Sequence, residues 1–239
     1  QDFDEKILNK IYLQLRWLNK RIEYHISGNH LLTNFKALTY ASCLFNSYEA
    51  NKYFSRGLKQ FKKYLERQTL EDGGHYERSP MYHSIITKDL IELLDLLKKI
   101  KLISYSDYIS FLENKIDKYL NFYNYICHPD NLPSFFADTN FDNSYSLTTL
   151  KSLAHNVMGK SKFLKSKDNL KIFKTSGYFS FMNDNYYCSG DIGDFYKTDQ
   201  PGHSHAASLS FELTLFGERV FVNSGISNYQ DNQQRYFER

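Results

Sequence analysis

Three things are scarce in this chain of 239 residues, and each scarcity closes a route. Cysteine occurs at Cys43, Cys127 and Cys188 only; the number is odd, the spacings are long and there is no CxxC, so neither a disulfide framework nor a structural zinc knuckle follows. No run reaches the roughly 18 apolar residues that a membrane-spanning helix needs. Charge of one sign is scarce too: 30 Lys and Arg stand against 27 Asp and Glu, without the basic block that marks a nucleic-acid-binding arm. An anionic ligand is allowed, not demanded. The opening stretch QDFDEKILNK is too polar for a signal peptide, but it lacks an initiator Met and reads as mid-helix, so it says little about what precedes it.

What is present is enough for a folded core. Hydrophobic residues make up 41% and charged residues 24%, too balanced for disorder, and the length suits one large or two modest domains. Twenty Tyr and 19 Phe stand against one Trp. Such a surplus of rings suits a groove where sugars stack; an AT-rich coding sequence, which inflates Tyr, Phe, Asn and Lys together, explains it equally well.

Two periods divide the chain. From Phe3 to about Met158 apolar residues step by three and four, as in Ile7, Leu8, Ile11, Leu15, Leu18 and Ile22, and again in Tyr53, Phe54, Leu58, Phe61 and Leu65. Breakers at SGNH, LEDGGHYERSP and CHPDNLPSFFADTNFDNS separate the runs, which predicts antiparallel helix hairpins. After the Lys-rich stretch at 159–171 the period becomes two. Tyr178 to Phe181 and Tyr186 to Cys188 predict a hairpin; so do Leu209 to Leu215 and a return strand to about Asn223, with Gly217 and Glu218 as the turn. In the second hairpin Leu209, Phe211, Leu213 and Leu215 share one face, Ser210, Glu212 and Thr214 the other. Two hairpins alone leave edges and apolar faces open, so the β part is expected to be a piece of something longer.

Four clusters hold candidate chemistry. In GNH, Asn29 is either a helix N-cap or a functional amide beside His30. In DGGHYERSPMYH, Tyr82 and His83 fall in the first turn of a helix, near solvent; a helical Tyr is usually packing, but His75, Arg78 and His83 around Tyr82 would lower its pKa from about 10. In PGHSHAASLSFEL, His203 and His205 on an extended chain point the same way; alone they are a weak metal signal, since zinc needs three or four ligands. In FVNSGISNYQDNQQRYFER, Gly225 permits a tight turn, and Arg235 and Arg239 either face an acidic ligand or are solvated.

GNHLLTNFKAL, DGGHYERSPMYH, PGHSHAASLSFEL and VFVNSGISNY, in this order and on helix, helix, strand and strand, resemble the heparinase II/III family of polysaccharide lyases, over about Ile11 to Arg239. The resemblance implies an incomplete α/α toroid, residues 1–160, followed by the start of an antiparallel β-sandwich, residues 161–239, with both ends of the family's architecture outside this sequence. It implies β-elimination on a uronic-acid polysaccharide. A base takes the C5 proton, alpha to the carboxylate, and the C4 oxygen leaves; a neutralised carboxylate stabilises the enolate-like intermediate. By motif, Asn29 neutralises the carboxylate, with His30; Tyr82 is base, acid or both; His203 is the partner base; Arg78 and His83 hold acidic sugars.

The chemistry so implied requires no cofactor. In relatives the second His of the pair and an Asp after the return strand help form a structural divalent-metal site. Here His205 is present, but the Asp position is Asn223, the acid that often follows the pair is Ala206, and a further ligand would lie beyond Arg239. An amide brings no charge, so the expectation is that this chain as it stands does not bind the ion. The implied partner is an acidic polysaccharide, with no nucleic acid and no membrane span, in the periplasm or outside the cell. Three alternatives stand beside the lyase: a catalytically weakened member that binds or processes a bacterial surface polysaccharide during envelope assembly, a helical interaction scaffold, and a hydrolase using carboxylates such as Asp72, Glu77 and Glu212.

Overall fold

The structure, a computed structural model, describes residues 2–100, 105–159, 169–193 and 201–238. Two compact units are found, residues 1–68 and 69–239.

The first unit is helical: α1 (Asp2–Lys20), α2 (Gly28–Ser42) and α3 (Tyr48–Gln68). The expected stripes hold the helices together, with Leu15, Leu38 and Tyr53 buried and Tyr12, Leu18, Ala41 and Phe45 packed on them. The α1 stripe is shorter than its spacing predicts. Ile7 and Leu8 remain 40% exposed, and Ile22 lies past the helix end. Gly57 lets α2 and α3 approach closely; a Cβ there would sit 3.0 Å from the Phe35 carbonyl oxygen and closer still to Thr39 Oγ1.

The second unit carries α4 (Pro80–Ile100), α5 (Ser106–Ile126) and α6 (Leu147–Met158), then β1 (Leu170–Phe173), β2 (Tyr178–Met182), β3 (Tyr186–Asp191), β4 (Phe211–Leu215), β5 (Glu218–Phe221) and a short α7 (Gln233–Glu238). Pro80 opens α4, where its missing N–H costs nothing. Ser146 caps α6 by accepting the Thr149 N–H at 3.1 Å. Helices and sheet share one core: Phe122, Tyr125 and Ile126 of α5 pack with Phe136, Phe173 and Tyr178. At roughly 1.5–3 kcal/mol for each fully buried large side chain, this cluster is a main source of cohesion between α5 and the strands. The break in packing therefore falls between Gln68 and Thr69. The boundary expected at 160/161 lies among residues outside the description.

The five strands form one antiparallel sheet in sequence order. The hairpins at 178–191 and 211–221 are where the period of two places them; β1 is an addition the Lys-rich stretch concealed. The second turn is Phe216 and Gly217, at φ 52° and 89°, and not Gly217 and Glu218. Two consecutive positive φ values fit a turn whose twist matches the strands. The faces of β4 alternate as expected, and the polar one is the buried one. Glu212 and Thr214 point inward and are buried, while Phe211 on the apolar face is 50% exposed. A polar side chain can face inward when it finds a partner, and His128 is the partner of both Glu212 and Thr214.

Candidate active site

The site is built at the start of α4. Ser79 accepts the Tyr82 N–H at 3.2 Å and donates its own hydroxyl to the Asp138 carbonyl at 2.7 Å. The Thr139 hydroxyl donates to the Phe136 carbonyl at 2.7 Å and accepts the Met81 N–H at 3.3 Å. Free amides of the helix N-terminus thus tie down the loop that carries Asp138. Ala137, just before it, is held at φ 55°, a left-handed backbone that only a well-fixed loop retains.

Asp138 brings the histidine pair to α4. Its Oδ2 accepts from His203 Nδ1 at 2.9 Å and its Oδ1 from His205 Nε2 at 2.7 Å; its N–H donates to the His203 carbonyl at 3.2 Å. Burial alone would raise its pKa, but the hydrogen bonds from His203 and His205, and then their charges, bring it below the ordinary carboxylate value. An ionised carboxylate only accepts, so His203 keeps its proton on Nδ1. His203 ends a single 3₁₀ turn, Pro201–His203, and is not on the extended chain expected from its spacing. The two rings share a side because one carboxylate binds both.

The Tyr82 ring lies against the His203 ring, centroids 4.1 Å apart and tilted by 35°. Its hydroxyl is 3.0 Å from that of Tyr229, whose ring carries the Arg235 guanidinium at 4.9 Å. Glu77 Oε1 stands 3.8 Å from His203 Nε2, and Arg235 Nη2 3.9 Å from Asp138 Oδ2. The expected acidification of Tyr82 does not occur. Burial raises its pKa above 10 and the charges of Asp138 and Glu77 add to that, against lowering by Tyr229 and Arg235. The direction favours the protonated phenol.

The other expected residues divide. His83 is a correction. It is 1% exposed, stacks on Tyr119, accepts the His75 N–H on Nδ1 at 3.2 Å and donates from Nε2 to the Tyr119 carbonyl at 2.9 Å. It faces the core and has no nitrogen left for a sugar; burial brings its pKa down to about 4. Arg78 is partly exposed, at a left-handed φ of 55°, with Nη2 donating to the Thr175 carbonyl at 3.4 Å and its own carbonyl held by the Tyr178 hydroxyl. Asn29 and His30 belong to the first unit. Asn29 is the second residue of α2 and not its N-cap, because the helix starts at Gly28 after Ser27. His30 is exposed, 3.6 Å from Glu23 Oε2. Arg235 is engaged as described, and Arg239 lies outside the described residues.

Sequence reasoning missed Asp138 and Tyr229, and offered Glu77 only as a hydrolase acid. Of the other two acids offered, Glu212 is fully buried and Asp72 is committed to the Thr175 and Ser176 N–H groups at 2.9 and 2.7 Å.

The residues near His205 offer few ligands for a metal ion. Its Nε2 is taken by Asp138, and a cavity of about 340 Å³ beside it is lined by Ala206, Ala207, Ser210, Asn223 and Glu238 among others. The Glu238 carboxylate is bound to the Ser227 N–H and hydroxyl at 2.9 and 2.6 Å. One imidazole nitrogen and one amide oxygen fall short of the three or four ligands zinc takes. Among the described residues no group of His, Cys, Asp and Glu is arranged to hold a metal ion. The described residues do not fit a structural metal ion.

A phenol lies against an imidazole that a buried carboxylate orients, an arrangement chemically able to move a proton, where helices meet an antiparallel sheet. The chain belongs to the heparinase II/III family: residues 1–166 match the model of the heparinase II/III N-terminus, and residues 165–239 that of the heparinase II/III-like C-terminal domain. It is similar to the heparin-sulfate lyase of Bacteroides thetaiotaomicron, 25% identical over 254 residues that cover 90% of this chain and 36% of that protein. The heparin-sulfate lyase of Bacteroides stercoris is 26% identical over 224 residues, covering 84% and 32%. A crystal structure of heparinase III superposes with a TM-score of 0.81 at 22% identity, over 99% of this chain and 41% of that one. The fold is that of such structures, an α/α toroid followed by an antiparallel β-sandwich, present here in part. The chain spans about a third of the length of the curated relatives it matches.

Proposed function

We propose that the protein containing this chain is a polysaccharide lyase that cleaves an acidic, uronic-acid-containing polysaccharide by β-elimination. The observation that carries the reading is the 4.1 Å approach of the Tyr82 and His203 rings, with the His203 proton directed to Nδ1 by Asp138. His203 Nε2 takes the C5 proton. The electron pair left at C5 forms the C4–C5 double bond, and the C4–O bond breaks. Tyr82, held protonated, gives its proton to the departing C4 oxygen. Asn29, with His30, is assigned to the substrate carboxylate, where an amide donor stabilises developing charge without adding a competing base. Arg78 is assigned to the acidic sugars on either side. The relatives named heparin-sulfate lyase make heparan-type glycosaminoglycans the first substrates to try.

The test is ultraviolet absorbance of the conjugated 4,5-unsaturated uronate, followed with the full-length protein on a panel of uronic-acid polysaccharides. A rise is expected on at least one polymer, and Tyr82→Phe should reduce its rate by about 100-fold or more, the scale of a lost general acid. Folded protein that binds a polymer without producing the chromophore would overturn the lyase reading in favour of a binding or assembly role.

A further inference from the structure

We infer that Asp138 is a positioning residue for the acid–base pair, a group that fixes both the tautomer of His203 and its distance from Tyr82. The inference rests on the proposed roles of those two side chains. Each part of Asp138 has a separate partner. Its carbonyl accepts from Ser79, the residue whose hydroxyl also holds the Tyr82 N–H. Its N–H donates to the His203 carbonyl, and its carboxylate receives both imidazoles of the pair. Tyr82 and His203 arrive from segments 121 positions apart in sequence. Asp138 is bonded to the His203 segment by main chain and side chain, and to the start of α4 through Ser79.

The chemistry that follows is specific. The Asp138 side chain is fully shielded from solvent, so no water competes for its two oxygens. With Nδ1–H bound to Oδ2, the lone pair of neutral His203 sits on Nε2, the nitrogen that faces Glu77 across 3.8 Å and carries the proton acceptor. An amide in place of the carboxylate can offer an N–H to Nδ1 instead. The imidazole proton then moves to Nε2, and a base becomes a donor. His205, on Oδ1, keeps the carboxylate from rotating away, and Arg235 approaches Oδ2 from α7. A carboxylate that served packing alone would be replaced by its isosteric amide with loss of stability and unchanged turnover.

The experiment uses the full-length protein labelled with ¹⁵N-histidine, at a pH where the ring is neutral, with the His203 signals assigned by their loss in His203→Gln. Wild type is expected to show the Nδ1–H tautomer at His203, and Asp138→Asn to move it toward Nε2–H. In parallel, Asp138→Asn should lower kcat about 100-fold with KM changed less than threefold, while Asp138→Glu recovers part of the loss. A wild-type His203 in the Nε2–H form overturns the inference, as does folded Asp138→Asn with kcat within threefold of wild type. Should Asp138→Asn fail to fold, the wild-type tautomer decides. If wild type produces no chromophore on any polymer, the lyase reading fails by itself, and the tautomer still says whether Asp138 sets the ring.

Discussion

Two of the histidine–carboxylate clusters in the second unit are built from the same chemical parts and differ in their surroundings. His128 donates to Glu212 at 2.8 Å and its other nitrogen pairs with the Thr214 hydroxyl at 2.6 Å. Glu212 also accepts the Phe135 and Asn223 N–H groups, at 2.6 and 3.2 Å, and both members of the pair are sealed from solvent. His203 meets Asp138 at 2.9 Å, but its side chain is 18% exposed and, among the described residues, its second nitrogen meets only a carboxylate 3.8 Å away. What separates the two histidines is the second ring nitrogen: filled and buried in one cluster, set beside a phenol and partly exposed in the other, the setting that the proposed base requires.

The largest effect expected is on the sealed cluster. Removing the Glu212 carboxylate leaves the buried His128 ring and two backbone N–H groups without an acceptor, about 1–3 kcal/mol for each and more than about 3 kcal/mol together. Glu212→Ala should therefore lower the unfolding free energy of the full-length protein by that order in urea titration. It would also loosen the inner face of β4. Turnover per folded molecule should stay within a few-fold of wild type. A Glu212 variant that unfolds normally and loses turnover would erase the contrast between the clusters.

The buried His83 of α4 sharpens the comparison through pH. The folded His83 ring binds no proton until about pH 4, because burial disfavours its charge, whereas an unfolded histidine does so near 6.5. Between these values the unfolded chain binds more protons, so stability present above pH 6.5 is lost as the pH falls toward 4. The loss from His83 is about 3 kcal/mol. His75, buried and held well below the ordinary histidine value by burial and then by the charges of His83 and His203, acts in the same direction. Urea midpoints between pH 7 and pH 4 should fall accordingly, and His83→Gln should flatten the slope. A midpoint independent of pH across that window would mean that these rings are not buried as described.

The periodicities made the helices and the two hairpins legible, because amphipathic spacing records which residues must leave water. They did not record which face of β4 goes inward. Leu213 and Phe211 look like core and Glu212 like surface until His128, 84 positions away, satisfies the carboxylate. The site was legible where its residues sit in motifs, as Tyr82 and His203 do. His83 shares such a motif yet turns into the core, since adjacent helical positions point about 100° apart. Asp138 carried no signal. It lies in a loop, has no spacing to any partner, and acquires its role only when Ser79, His203 and His205 converge on it.

The smallest of these effects separates the two histidines that one carboxylate holds. Removing His205 frees Asp138 Oδ1 but leaves Oδ2 on His203, so the tautomer survives while the carboxylate gains freedom to rotate. His205→Ala should cost about tenfold in kcat, or roughly 1.4 kcal/mol. That is well short of the loss expected at Asp138, which carries both bonds. The measurement is kcat of the full-length protein on the polymer that gives the chromophore, with and without a chelator. A loss equal to that of Asp138→Asn would mean that the pair acts as one unit and that His203 depends on His205 for its orientation. A loss that the chelator reproduces in wild type would place a metal ion on His205 in the full-length protein, with ligands beyond those described, and Asp138 would then orient a metal ligand as well as a base.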